Sequence, residues 1–196
     1  MSEEVKTEGI PTEVPSSEAP TSEEPSSEEP SSKKAKILGE GYTLNINNAV
    51  DKSYEIKSLT EIAEAPVAAI QGISDRGAEI LAKYRVHSVA DLAEWKFAKW
   101  CEAIVILADT EEPGKRDEAS MMNINKAMDK EYEKKTLSEI CQAPISAVQG
   151  LTDEACEYLR SLRVDTVEKL GKWKFYKWAK SIVILAGVEN ADFSSR

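Results

Sequence analysis

A stretch of 64 residues occurs twice in this chain. Aligned with an offset of 78 and no gaps, residues 45–108 match residues 123–186 at 34 of 64 positions. Whatever the first copy folds into, the second must fold into as well. Two copies of this length are not a solenoid, whose units are shorter and more numerous. The expected organisation is a tail over 1–40, a helical repeat over 41–109 and a linker over 110–121. A second helical repeat over 122–188 and an end segment over 189–196 complete it.

The repeats are dense in helix signals. Ser58 stands three residues before Glu61, and Thr136 three before Glu139, the spacing of a capping box. Pro66 and Pro144 break the chain and open a short helix carrying Val67 and Ile70, or Ile145 and Val148. Gly72 and Gly150 suit the left-handed turn that closes it. Ser74 and Thr152 then cap a third helix, and Ser88 and Thr166 a fourth through Leu92 and Leu170. The hexapeptides Trp95–Trp100 and Trp173–Trp178, which hold all four tryptophans, open a fifth and longest helix ending near Asp109 and Gly187. No window alternates with period two. The expected fold is all-α, with four or five short helices in each repeat.

The run from Pro66 through Gly72 to Ser74, followed by Ala78, Leu81, Val86, Ser88 and Leu92, resembles a helix-hairpin-helix module of the SAM-like group. Its second copy runs from Pro144 through Gly150 to Thr152, then Leu159, Val164, Thr166 and Leu170. The resemblance covers roughly 30 residues of each repeat and implies a small helical fold with Gly72 and Gly150 in the hairpin turn. Nucleic-acid-binding members of that group place a glycine on both sides of an apolar hairpin residue, so that backbone N–H groups reach a phosphate. Here Ser74 and Thr152 replace the second glycine.

Charge argues in the same direction. The net charge is −10, and the repeats carry −3 and +2. Neither is the strongly basic domain that a phosphate backbone usually selects. Residues 1–40 hold ten Glu against four Lys, with Pro-Ser-Ser-Glu repeats and little to bury, so disorder is expected there. Thr21 and Ser26 in that tail each precede a Glu by three residues, the spacing of acid-directed phosphorylation. No run reaches the roughly 20 apolar residues of a membrane span, so no membrane partner is expected. An intracellular location follows from the thiols, the cytoplasm first, with nucleus or organelle left open.

No chemistry stands out. Cys101, Cys141 and Cys156 align with Ala179, Ala63 and Ala78, and the one histidine, His87, aligns with Asp165. No zinc spacing, phosphate loop or nucleophile elbow occurs, so no metal, no cofactor and no enzymatic activity are expected. The aromatic helix offers more. At 100° per residue, Phe97, Trp100, Ile104, Leu107 and Ala108 form one core-facing stripe. Trp95, Lys99 and Ile106 fall opposite, as do Trp173, Lys177 and Ile184, with Lys96 and Lys174 on the flank. Two explanations fit: neighbouring helices or a cap position cover the second face, or it is a contact face, between the repeats or for a partner. The leading expectation is a protein-binding or scaffold protein using Trp95, Lys96, Lys99, Ile106, Trp173, Lys174, Lys177 and Ile184. The alternative is nucleic-acid binding, chiefly through the second repeat, where Lys169, Lys172, Lys174, Lys177 and Lys180 cluster.

Overall fold

A computed structural model describes residues 43–115 and 117–190. The tail over 1–40, with Thr21 and Ser26, lies outside the described residues. Among the described residues eight α-helices follow one another: α1 (Leu59–Glu64), α2 (Asp75–Ala82), α3 (Val89–Ala93), α4 (Lys96–Ala108), α5 (Leu137–Cys141), α6 (Asp153–Ser161), α7 (Val167–Gly171) and α8 (Lys174–Ala186). Short 3-10 turns lie at Lys52–Tyr54, Val67–Ala69, Lys130–Tyr132 and Ile145–Ala147. The described residues contain no strand, only isolated bridges such as Val50 with Ile70 and Met128 with Val148. The fold is all-α, and the proline-started segments are 3-10 turns rather than α-helices.

The shorter helices start at side-chain caps, while α4 and α8 start at Trp95 and Trp173 without one. Ser58 Oγ accepts the Glu61 N–H at 3.1 Å while the Glu61 carboxylate accepts the Ser58 N–H at 3.0 Å. Thr136 and Glu139 repeat this reciprocal cap. Ser74, Ser88, Thr152 and Thr166 cap α2, α3, α6 and α7 through their hydroxyls. Gly72 and Gly150 adopt φ of 98° and 94°. The chain leaves α2 and α6 through Arg85 (φ 61°) and Arg163 (φ 63°), a left-handed geometry that a non-glycine residue adopts only rarely.

The long helices do not close the repeats they belong to in sequence. Helix α4 packs chiefly on α5 and α7, and α8 packs on α1 and α3. Only Glu94 and Trp95 separate α3 from α4, and that junction turns α4 away from α3 and onto the second set of short helices. The contacts therefore group 95–172 into one lobe, and 43–94 with 173–190 into the other. Five- to nine-residue helices cannot enclose a core alone, and a thirteen-residue helix supplies the missing wall. The α4–α7 approach is close: a Cβ at Gly171 would lie 2.6 Å from the Cys101 carbonyl oxygen.

One continuous apolar core runs through both lobes, from Val50 and Ile62 to Leu170 and Ile182. A smaller cluster of Ile80, Ala155 and Tyr158 lies where α2 meets α6. Gly77 leaves the room that the Tyr158 hydroxyl fills. Equivalent elements thus face each other, α2 against α6 and Trp95 against Trp173, as in an approximate twofold interface built within one chain.

Candidate partner-binding surface

The residues singled out in the two hexapeptides separate into three groups. The first is buried. Trp95 and Trp173 are each 4% exposed and occupy the N-cap positions of α4 and α8. Their ring centroids lie 6.2 Å apart at 58°. Trp95 also meets Tyr84 at 6.0 Å and Phe97 at 5.7 Å, both edge-on. Trp173 meets Phe175 at 5.4 Å. These indoles are taken up by the contact between the repeats, which removes them from any outer surface. Both indoles stand in extended geometry ahead of the helix, so the helical wheel does not apply to them, and the cap position is the explanation that fits. Trp95 is covered by Tyr84 and Phe97 of its own repeat as well as by Trp173 of the other.

The second group is charged. Lys96 Nζ lies 4.7 Å from the Phe97 ring centroid and 5.3 Å from that of Trp100. Lys174 repeats this at 4.9 Å and 5.0 Å over Phe175 and Trp178. Each lysine shields the half-buried edge of a core aromatic, with the cation over the ring face. Lys99 pairs with Glu94 at 2.5 Å. Lys177 is exposed, and its charge acts on Glu102.

The third group is the apolar strip. Ile106 and Leu107 are 59% and 54% exposed, and Ile184 and Leu185 are 61% and 46% exposed. Val188, at 80%, continues the second strip. Leu107 is expected in the core, and by the repeat so is its counterpart Leu185, yet both are exposed. The buried stripe instead runs through Phe97, Ala98, Cys101 and Ile104, because α4 meets α5 and α7 on a face rotated toward Ala98 and Cys101. The last turn of each long helix packs on the core through Val105 and Ala108, or Val183 and Ala186, and leaves its Ile–Leu pair on the solvent side.

The hairpin glycines are covered. A Cβ at Gly72 would lie 2.8 Å from Phe175 Cζ, and one at Gly150 would lie 3.5 Å from Phe97. A phenyl ring thus sits against each of the two turns.

Three features of the site were not anticipated. Glu189 accepts the Leu59 and Thr60 N–H groups, each at 2.8 Å, and the Thr60 hydroxyl at 2.8 Å. Glu111 accepts the Leu137 N–H at 2.7 Å, the Ser138 N–H at 2.8 Å and the Ser138 hydroxyl at 2.9 Å. Each carboxylate clamps the start of the other repeat's first helix, where free N–H groups and the helix dipole favour a negative charge. Glu111 and Glu189 stand 78 apart, so the repeat offset was the overlooked signal. Second, Glu102 accepts from Lys180 at 2.5 Å and from the Tyr176 hydroxyl at 2.8 Å. Positions 102 and 180 are aligned partners carrying opposite charges. Third, Tyr84 bridges the lobes through its hydroxyl, 2.8 Å from the Thr152 N–H it accepts.

Burial would raise the Glu111 and Glu189 carboxyls, but the hydrogen bonds from the clamped backbone outweigh it and hold both below 4.5. Their stabilisation is therefore present above the ordinary carboxylate value and is lost as pH falls through the lower folded one. Glu111→Gln and Glu189→Gln should each cost about 1 kcal/mol at neutral pH. Thermal melts between neutral pH and about pH 3 should show the gap between wild type and variants closing as the carboxylates protonate. A gap constant with pH would refute the clamp.

The thiols are quiet. Burial pushes Cys101 up to about 12, with a further push from Cys141. Burial also raises Cys141 and Cys156. Among the described residues no group of three or more His, Cys, Asp or Glu is arranged to hold a metal ion, and no helix is long and apolar enough to cross a membrane.

Comparison with protein-family models, with curated proteins and with solved structures finds no match to this chain.

Proposed function

We propose that this chain is a non-enzymatic protein-binding scaffold made of two helix-hairpin-helix-like modules, and that its partner docks on the solvent side of the last turns of α4 and α8. The observation that carries this reading is the twice-repeated Ile–Leu pair, Ile106 with Leu107 and Ile184 with Leu185, left on the solvent face of the two long helices. Identical apolar side chains on two helices offer two similar sites, and a partner able to engage both gains avidity.

Nucleic-acid binding draws less support. Phe175 and Phe97 rest on the hairpin turns through which such modules meet phosphate. Of the clustered lysines in the second repeat, Lys169 pairs with Asp165, Lys172 with Glu168 and Lys180 with Glu102. Lys174 lies over Phe175 and Trp178.

The test is capture of partners from the source cells by the full chain and by an Ile106→Glu/Ile184→Glu variant. The variant should keep its helical circular dichroism and melting temperature, because both side chains are already exposed, and should lose capture by about tenfold or more. Unchanged capture would refute the docking site. Salt-sensitive binding to single-stranded DNA or RNA, abolished by Lys174→Glu/Lys177→Glu, would replace this reading with the nucleic-acid one.

A further inference from the structure

The lobe that α8 completes lies far back in the chain: Leu59 bonds Glu189, just past α8, across 130 positions. Helix α8 is joined to the second lobe through Lys172 and Trp173 alone. Lys172 has φ −98° and ψ 7°, and Trp173 has φ −63° and ψ 121°. Only the ψ of Trp173 stands far from helical geometry, by roughly 160°. No proline or glycine lies among residues 172–174 to enforce the bend. The bend persists because Trp173 is buried at the contact with Trp95 and Phe175. If that one torsion rotates, α7 and α8 join into one continuous helix, and α8 points away from its own first lobe.

We infer that the groove between α1 and α3 is also a docking surface for α8 of a second copy of this chain, giving a helix-exchanged dimer. The contacts that α8 makes beyond the bend would be kept in the exchange, while the contact of Trp173 with Phe175 would open. Glu189 would clamp Leu59 and Thr60 of the other copy, Phe175 would cover its Gly72, and Lys180 would meet its Glu102. Two copies cannot gain the same by pairing like lobes side by side. Positions 102 and 180 would then meet their own kind, Glu on Glu or Lys on Lys. Likewise, Tyr158 would meet Ala155 of its twin where it now fits over Gly77, into space that a Cβ occupies. The divergence between the repeats thus blocks like-with-like pairing and leaves exchange open.

The bend can be locked or released by substitution. Lys174 is the first helical residue of α8, where proline is well tolerated, and a proline there disfavours helical geometry at Trp173. Trp173→Ala removes the ring that holds the bend. Wild type, Lys174→Pro and Trp173→Ala should be refolded from denaturant at low and high protein concentration and sized by light scattering. The inference expects a dimer from wild type at high concentration, a larger dimer fraction from Trp173→Ala, and its loss in Lys174→Pro. Monomer from wild type at every concentration, or an equal dimer from Lys174→Pro, would overturn it. A second measurement does not need Trp173→Ala to fold. Glu102→Lys and Lys180→Glu chains, refolded together, should form a mixed dimer in which both axis pairs are restored across chains. Absence of that mixed dimer would equally overturn the exchange.

Discussion

Gly72→Ala should destabilise the fold by about 3 kcal/mol, roughly twice the cost of Gly150→Ala. Both glycines sit at left-handed φ, 98° and 94°, so either substitution meets the backbone penalty of about 1–2 kcal/mol. Only Gly72 adds a collision, since a Cβ there lies 2.8 Å from Phe175 while the one at Gly150 finds ordinary contact at 3.5 Å. Phe175 cannot retreat cheaply, because Trp173 and Trp178 stand edge-on to it at 5.4 Å and 5.7 Å. Chemical denaturation of both variants measures the difference. Equal losses would mean that the ring of the long helix does not press on the turn. Phe175→Leu in the Gly72→Ala background should then recover part of the loss by trimming the clash.

Lys180→Glu should cost about 2 kcal/mol, and the exchange variant Glu102→Lys/Lys180→Glu should recover most of it. The single change places two carboxylates where the side chains at 102 and 180 are 18% and 41% exposed. Screening by solvent on the Lys180 side keeps the cost below that of a fully buried pair. The Glu102 carboxyl already contends with burial, which raises it. The hydrogen bonds from Lys180 and Tyr176 and the charges of Lys180 and Lys177 leave it below its ordinary value. Lys180→Glu removes the main counterweight, so the variant should regain stability as pH falls and one carboxylate protonates. A double variant no better than the single one would show that 102 and 180 do not recognise each other.

Local structure was legible because its causes are local. A hydroxyl can cap a helix through the backbone N–H three residues on, so Ser58, Ser74, Ser88 and their counterparts mark the starts of the shorter helices, whereas α4 and α8 begin at Trp95 and Trp173 without a side-chain cap. Gly72 and Gly150 announced left-handed turns for the same reason. Arg85 and Arg163, with the same handedness, announced nothing, because arginine has no preference for that geometry. Helical phase assigned Trp95 to an outer face, but Trp95 is the extended N-cap of α4 and lies off the wheel. Leu107 and Leu185 misled, since a helical wheel assigns inside and outside without knowing which partner helix the wall will meet or where it ends.

The sequence by itself determined the helices, their caps and the fact of duplication. Which long helix closes which set of short ones was decided only in three dimensions. The two sets of short helices are so alike that α4 suits either by pattern. The choice rests on a single bend at Trp95 and Trp173, on Gly171 admitting the α4 backbone, and on unlike charges at 102 and 180 meeting across the axis. Each of these is a relation between residues about 70 to 80 positions apart. Such relations carry energy only once the chain has brought them together.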